Sequence, residues 1–207
     1  NYAFQDLTTG DYNTMVGYTA GRNINTGSNN TGIGVEAGMD TTSGSNNTFL
    51  GGEAGRSGSP SQVTTGSNNV VIGNNSITNA YIKVDWTITS DKRDKTDIEP
   101  LTMGLDFVNK LNPVTYRWDM RSDYENKTPD GTHKKQRLFS GLLAQDVEKL
   151  ERTYNYKVED ETAVITNKGE DGNYGLTYSK FVPVLINAVK ELSATVTTLQ
   201  QEINTLK

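Results

Sequence analysis

The sequence predicts an all-β solenoid of the β-roll kind, followed by an α+β domain that ends in a long coiled-coil helix. Three observations predict this order: a glycine-rich repeat in residues 1–76, mixed strand and helix patterns from residue 77 onward, and a heptad pattern in residues 182–207. We therefore divide the chain into a repetitive stem (1–76), a connector strand (77–89) and a C-terminal domain (90–207).

Composition excludes several classes of protein. A formal charge of −5 gives a nucleic-acid partner no general electrostatic support. Cysteine is absent and His133 is the single histidine, so disulfides, thiolate nucleophiles and multi-histidine metal sites are excluded, and we predict neither metal nor cofactor. Because no run of about 18 apolar residues occurs, we predict no membrane insertion.

The stem contains four copies of one motif, whose starts are 17, 17 and 22 residues apart. The copies are "TTGDYNTMVGYTAG" from Thr8, "NTGSNNTGIGVEAG" from Asn25, "TSGSNNTFLGGEAG" from Thr42 and "TTGSNNVVIGNNSI" from Thr64. Each copy reads as a turn, a short strand and a turn, with Asn-Asn and Gly supplying positive φ angles. The sizeable apolar residues fall at equivalent positions: Met15-Val16, Gly32-Ile33, Phe49-Leu50 and Val71-Ile72.

One such unit has too little apolar surface to offset the entropy of ordering it. Disorder is one outcome, and stacking into a solenoid whose apolar seam meets other chains is the other. We favour the solenoid, because a disordered linker would not keep an apolar pair at a fixed phase. The units also resemble the head repeats of trimeric autotransporter adhesins, which implies β-roll coils with a core shared by three chains.

From residue 77 onward the pattern changes. "ITNAYIKVDWTITS" alternates like a strand, and "LTMGLDFVNKL" (101–111) has helical spacing up to Pro113. "VTYRW" is a candidate strand, and residues 120–137 are predicted as an exposed loop. "FSGLLAQDVEKLER" (139–152) predicts a strand leading into a helix, while "YNYKVE" and "AVITNK" suggest a hairpin.

The C-terminal helix carries the clearest pattern in the chain. Apolar residues alternate steps of four and three at Leu185, Val189, Leu192, Val196, Leu199, Ile203 and Leu206. Pro183 fits only the first turn, so the regular helix should begin near Val182. Its first half suits packing on its own domain, whereas its last twelve residues suit a coiled coil. By itself, the pattern of β-branched residues at one core position and leucine at the other favours a coiled coil of two helices.

Ser90 and Lys95 stand five residues apart in the charged segment "SDKRDKTDIEP" (90–100). Such a pair arises often by chance. The simple interpretation is a solvated turn, with Ser90 or Asp91 capping it. The other interpretation is chemical, with the lysine activating the serine hydroxyl.

Four segments in order favour the chemical interpretation: "SDKRDKTDI" (90–98), "LNPVTYRW" (111–118), "GLLAQDVEKL" (141–150) and "YSKFVPVLINAVKEL" (178–192). Together they resemble the C-terminal intramolecular chaperone domain of phage tailspikes, tail fibres and endosialidases. The resemblance implies a Ser-Lys dyad of Ser90 and Lys95 and self-cleavage at the Thr89–Ser90 bond. Asp91, Arg93, Asp97 and Ile98 fit the surrounding family pattern.

The resemblance further implies an intertwined homotrimer and a self-cleaving serine peptidase that acts once. We expect the chain to be the C-terminal part of a phage fibre, with its chaperone domain acting in the bacterial cytoplasm and its stem reaching the virion. The partners are then two further copies, the stem of the same chains and a host-surface receptor contacted through the stem. The alternative is a trimerisation clamp that stays attached.

A lysine acts as base only if its pKa falls toward neutrality, through burial or a nearby cation. Arg93 is the nearest candidate cation in the sequence, and Asp91 and Asp94 would oppose it. We therefore predict that Lys95 becomes buried, or flanked by positive charge, only in the assembled trimer.

Overall fold

The computed structural model describes residues 2–206, in two compact units. The first unit comprises the described residues up to Ile82, together with Arg117–Arg137 and Gly169–Asn173. The second comprises Lys83–Tyr116, Leu138–Lys168 and the described residues from Tyr174 onward. Small sheets and a long C-terminal helix make the chain a mixed α+β protein, as predicted.

A parallel four-stranded sheet organises the first unit. Its strands are three residues long and pair in chain order: β1 (Thr14–Val16), β2 (Thr31–Ile33), β3 (Thr48–Leu50) and β4 (Val70–Ile72). Thr14 pairs with Thr31, Thr31 with Thr48, and Thr48 with Val70. The register therefore follows the repeat, including the longer step before the fourth copy.

Only one residue of each predicted apolar pair faces inward. The middle residue of every strand is buried. Three of these four residues belong to a narrow core, which consists of Met15, Ala20, Ile24, Ala37, Phe49, Ala54, Val63 and Val71. The next residue of each strand faces outward and stays 38–59% exposed, at Val16, Ile33, Leu50 and Ile72. The single chain thus presents an apolar row along the stack.

The described part of the second unit has seven α-helices and β-strands, besides two short 3-10 turns. In chain order, the seven are α1 (Leu105–Lys110), β5 (Val114–Tyr116), β6 (Phe139–Gly141), α2 (Ala144–Arg152), β7 (Thr166–Lys168), β8 (Tyr174–Leu176) and α3 (Phe181–Thr205). Strands β5 and β6 pair antiparallel, as do β7 and β8. The helices cover one core of Met103, Phe107, Val147, Ile165, Phe181 and Val184.

A buried carboxylate ties α2 to β7. Glu151 is fully buried, and its two oxygens accept backbone N–H groups from Val164, Ile165 and Thr166 at 2.9–3.0 Å. Three charge-assisted bonds offset the cost of removing this carboxylate from water. The contact holds β7 against the last turn of α2.

Helix α3 confirms the predicted start, with Pro183 in its first turn. Its first turns pack on the core through Phe181, Val184 and Ala188. Beyond Ala188 every described side chain is exposed, and the heptad residues from Val189 to Ile203 are 49–65% exposed. The apolar seam is therefore uncovered in the single chain.

Two predicted elements differ from the structure. Residues 77–89 form no strand within the described chain, and the connector instead exposes apolar side chains on both sides, including Tyr81 and Trp86. A strand needs a paired edge, and no other segment within residues 2–206 supplies one. The predicted hairpin also has a different partner: β7, within "AVITNK", pairs with β8 rather than with "YNYKVE".

Candidate functional site

The candidate site is a tight turn at the start of the predicted C-terminal domain. Residues Lys92–Asp94 form one turn of 3-10 helix, and extended residues flank it on both sides. The Asp91 carboxylate accepts the backbone N–H of Arg93 at 2.9 Å and caps the turn, as the simple interpretation predicts. This turn reverses the chain between Ser90 and Lys95.

The turn brings the serine and lysine side chains together. Lys95 Nζ lies 2.5 Å from Ser90 Oγ, which is a short hydrogen-bond distance. The same ammonium nitrogen donates to the backbone carbonyl of Ser90 at 3.3 Å. The family resemblance implies the first contact, and the sequence gives no sign of the second.

The other predicted residues lie around this pair without joining it. The Arg93 guanidinium binds the Asp91 carboxylate at 2.6 Å, and this hydrogen bond holds the pKa of Asp91 below its usual range. Arg93, the candidate cation, is therefore paired with Asp91. Asp97 has a positive φ of 50° and turns the chain after Lys95.

The site is open to solvent in the single chain. Thr89, Ser90 and Lys95 are all exposed, and only Asp91 is partly covered. The Thr89–Ser90 bond lies just before the turn, in residues without regular secondary structure. The arrangement places an amine where it can take a proton from the serine hydroxyl, next to the peptide bond that the hydroxyl would attack.

The described residues form neither a metal-binding cluster nor a membrane-spanning helix. Within residues 2–206, no group of three or more His, Asp or Glu side chains is placed to hold a metal ion. No helix of the described chain is long and apolar enough to cross a membrane.

Comparison with known proteins gave one family. Residues 90–151 match the model of a peptidase family described as the chaperone of endosialidase. The match starts at Ser90 and ends at Glu151, so it includes the candidate turn and three of the four ordered segments. No curated protein and no solved structure gave a significant match. The match supports a chaperone domain in this part of the chain.

Proposed function

We propose that this chain is the C-terminal part of a phage tail fibre or tailspike. Its domain from Ser90 brings three chains together, guides the folding of the stem, and then releases itself by cleaving the Thr89–Ser90 bond. The observation that carries the proposal is the 2.5 Å contact between Lys95 Nζ and Ser90 Oγ, at the residue where the family match begins.

The bonds that change in cleavage belong to Thr89, Ser90, Lys95 and water. The free amine of Lys95 takes the hydroxyl proton while Ser90 Oγ attacks the carbonyl carbon of Thr89. The bond from that carbon to the Ser90 nitrogen breaks, and the nitrogen receives the proton from the lysine. An ester then joins Thr89 to Ser90 Oγ. Water hydrolyses this ester, leaving a Thr89 carboxylate and a free Ser90 amino group.

Assembly of the three chains would control cleavage by changing the exposure of Lys95 to water. Only a neutral amine can take a proton, and burial of a lysine disfavours its charged form. Lys95 is exposed in the single chain, and the neighbouring connector exposes Val84, Trp86 and Ile88 by 69–73%. Neighbouring chains that cover this apolar segment would remove water from Lys95 as well. Cleavage would then follow correct assembly.

Two uncovered apolar surfaces support the trimer. The heptad seam of α3 has no cover within the described chain, and the row of Val16, Ile33, Leu50 and Ile72 runs along the stem. Repetitive chains slip easily, because a shift by one unit keeps almost the same contacts. A C-terminal clamp raises the local concentration of the chains and sets their phase before the stem closes.

The proposal places the chaperone domain in the bacterial cytoplasm during assembly and the stem in the virion. The stem, rather than the chaperone domain, is the surface offered to a host receptor. After cleavage, the barrier to unfolding keeps the trimeric stem folded.

Intact mass under denaturing conditions tests the proposal. We expect the wild-type chain to give two fragments that meet at Thr89–Ser90, and Ser90→Ala and Lys95→Met to give one chain of 22.7 kDa. Lys92→Met is the matched control, because Lys92 is an exposed lysine of the same turn, and it should cleave like the wild type. A trimeric wild type that stays whole would instead identify a permanent clamp.

A further inference from the structure

The repeat ladder has a hydrogen-bond pattern at the start of each unit. The backbone N–H groups of Asn25, Thr26 and Gly27 donate to the carbonyl of Thr42, at 3.0–3.4 Å. One unit later, the Thr42 N–H donates to the carbonyl of Thr64 at 2.7 Å. Each unit thus satisfies its donors with a carbonyl of the next unit.

The fourth unit is followed by no fifth copy, and a side chain takes its place. Glu170 Oε2 accepts the backbone N–H groups of Thr64 and Thr65, at 2.8 and 3.3 Å. The hydroxyl groups of the same two threonines donate to the Glu170 carboxylate, at 3.2 and 2.7 Å. Two of the three backbone donors that would meet a further repeat, those of Thr64 and Thr65, are therefore satisfied by one carboxylate.

Steric contacts also show that Glu170 takes the place of a further unit. A Cβ added to Gly27 would lie 2.2 Å from the carbonyl oxygen of Gly44, and one added to Gly44 would lie 2.2 Å from that of Gly66. A Cβ added to Gly66 would meet the Glu170 carboxylate at 3.0–3.2 Å. Glu170 thus lies against Gly66 on the side where earlier glycines meet the next unit's carbonyl.

The loop that carries Glu170 is held in shape by its own hydrogen bonds. Residues Gly169–Asn173 connect β7 to β8, and the Gly169 N–H donates to the Asn173 carbonyl at 2.9 Å. The Asp171 carboxylate accepts the Asn173 N–H at 3.0 Å. Burial opposes the charge on Glu170, but the bonds from Thr64 and Thr65 outweigh it and lower the pKa of this carboxyl.

We propose that Glu170 is the end cap of the repeat ladder: its carboxylate takes the place of a fifth unit and binds only a fourth unit whose turn has formed. The open end of the ladder is therefore covered by a segment of the same chain, the β7–β8 loop. The group that binds there is the Glu170 carboxylate. Thr64 and Thr65 present their four donors together only when the fourth turn is closed, so cap binding reports that the stem is complete.

Because Glu170 lies downstream of Thr89–Ser90, the cap would also hold the cut pieces together without a peptide bond. This consequence alone rests on the proposed function. The end-cap assignment stands without cleavage, and its test uses the full chain carrying Ser90→Ala, so that failure of one is distinguishable from failure of the other.

Amide hydrogen exchange in that background tests the cap. We expect Glu170→Ala to reduce protection of the Thr64 and Thr65 amides by about tenfold or more, as loss of a hydrogen bond to a charged group implies. The amides of Thr31 and Thr48, which donate within the ladder, should keep their protection. Glu125→Ala is the control, since it removes an exposed carboxylate from the same unit.

A second variant keeps the carboxylate in place. Thr65→Val removes the hydroxyl bonded to Oε1 and should reduce protection at Thr64 and Thr65 by a smaller factor. Unchanged protection at these amides in Glu170→Ala would overturn the proposal. Equal loss at Thr31 would also overturn it, because it would show general loosening rather than an open end.

Discussion

The side chain of Asn47 is bonded directly to that of Asn30, in the interior of the repeat stack. Asn30 Oδ1 accepts both the backbone N–H and the side-chain Nδ2 of Asn47, at 3.0 and 3.1 Å. Both residues are almost fully buried. The same contact links Asn13 to Asn30 and Asn47 to Asn69, so one asparagine per unit forms a continuous ladder.

We expect Asn47→Ala to lower the free energy of unfolding of the stem by about 2–4 kcal/mol, since buried donors and acceptors left without partners cost about 1–3 kcal/mol each. The Asn47 side-chain amide forms hydrogen bonds with Asn30 of the preceding unit and with Gly66 and Asn69 of the following unit. Denaturant titration measures the change. Asn29→Gly is the control, because Asn29 is exposed and has a positive φ of 59° that glycine also adopts.

The repeat predicted that the units stack, and the parallel register of the stem follows because equivalent residues of stacked units pair. It did not predict the asparagine ladder. In "SNN" both asparagines suit a turn, but the structure uses the first for the positive φ, as at Asn46 (56°), and buries the second. Nor does an apolar pair such as Phe49-Leu50 reveal which member faces inward, since strand alternation allows either.

The functional residues were likewise predictable only in part. The family resemblance, and not the five-residue spacing alone, implied that Ser90 and Lys95 act together, and the structure separates them by a single turn. Glu170 was not predictable, since it lies 106 residues from Thr64 and the chain has 25 acidic residues. Its role depends on where the β7–β8 loop is placed, which local patterns do not encode.

Close stacking predicts intolerance of side chains at one glycine per unit. Gly44→Ala would place a Cβ 2.2 Å from the Gly66 carbonyl oxygen, and this backbone atom cannot move without opening the stack. We expect a loss of about 2 kcal/mol or more in unfolding free energy. Thermal unfolding of the stem measures it.

Gly52→Ala is the control for this substitution. It lies in the same stack, but its added Cβ comes no closer than 3.8 Å to another atom. Equal unfolding temperatures for the two variants would contradict the stacking argument.

Alkaline pH should weaken the second unit through Tyr154. Its hydroxyl donates to Asp106 Oδ2 at 2.7 Å, and burial together with this bond raises its pKa from 10.0 to about 12. A raised folded-state pKa means that the contribution is complete below about pH 10 and is lost as pH rises through about 12. Stability of the wild type should therefore fall across this interval.

Tyr154→Phe should remove the stability that the Tyr154 hydroxyl contributes. The difference in unfolding free energy between wild type and variant should therefore shrink from pH 9 to 12. Urea titrations at each pH measure it, and comparison with the variant cancels the other tyrosines. A difference that stays constant across the interval would show that the hydroxyl does not titrate with folding.

The exposed seam of α3 predicts that self-association depends on a few apolar side chains near its C-terminal end. Leu199 is 52% exposed in the single chain and follows the heptad pattern of its neighbours. If three helices meet there, Leu199→Asp places three carboxylates at the shared axis, where burial of unpaired charge is costly. We expect the proposed trimer to dissociate in the uncut Ser90→Ala background.

Light scattering gives the mass directly, with a chain of 22.7 kDa as the unit. Gln201→Asp is the matched control, because it adds the same charge two residues away on the outer side of the heptad, and it should leave the mass at three chains. Dissociation by both variants would point to charge repulsion along the whole helix. A trimer that survives Leu199→Asp would mean that the stem, and not the helix, holds the chains together.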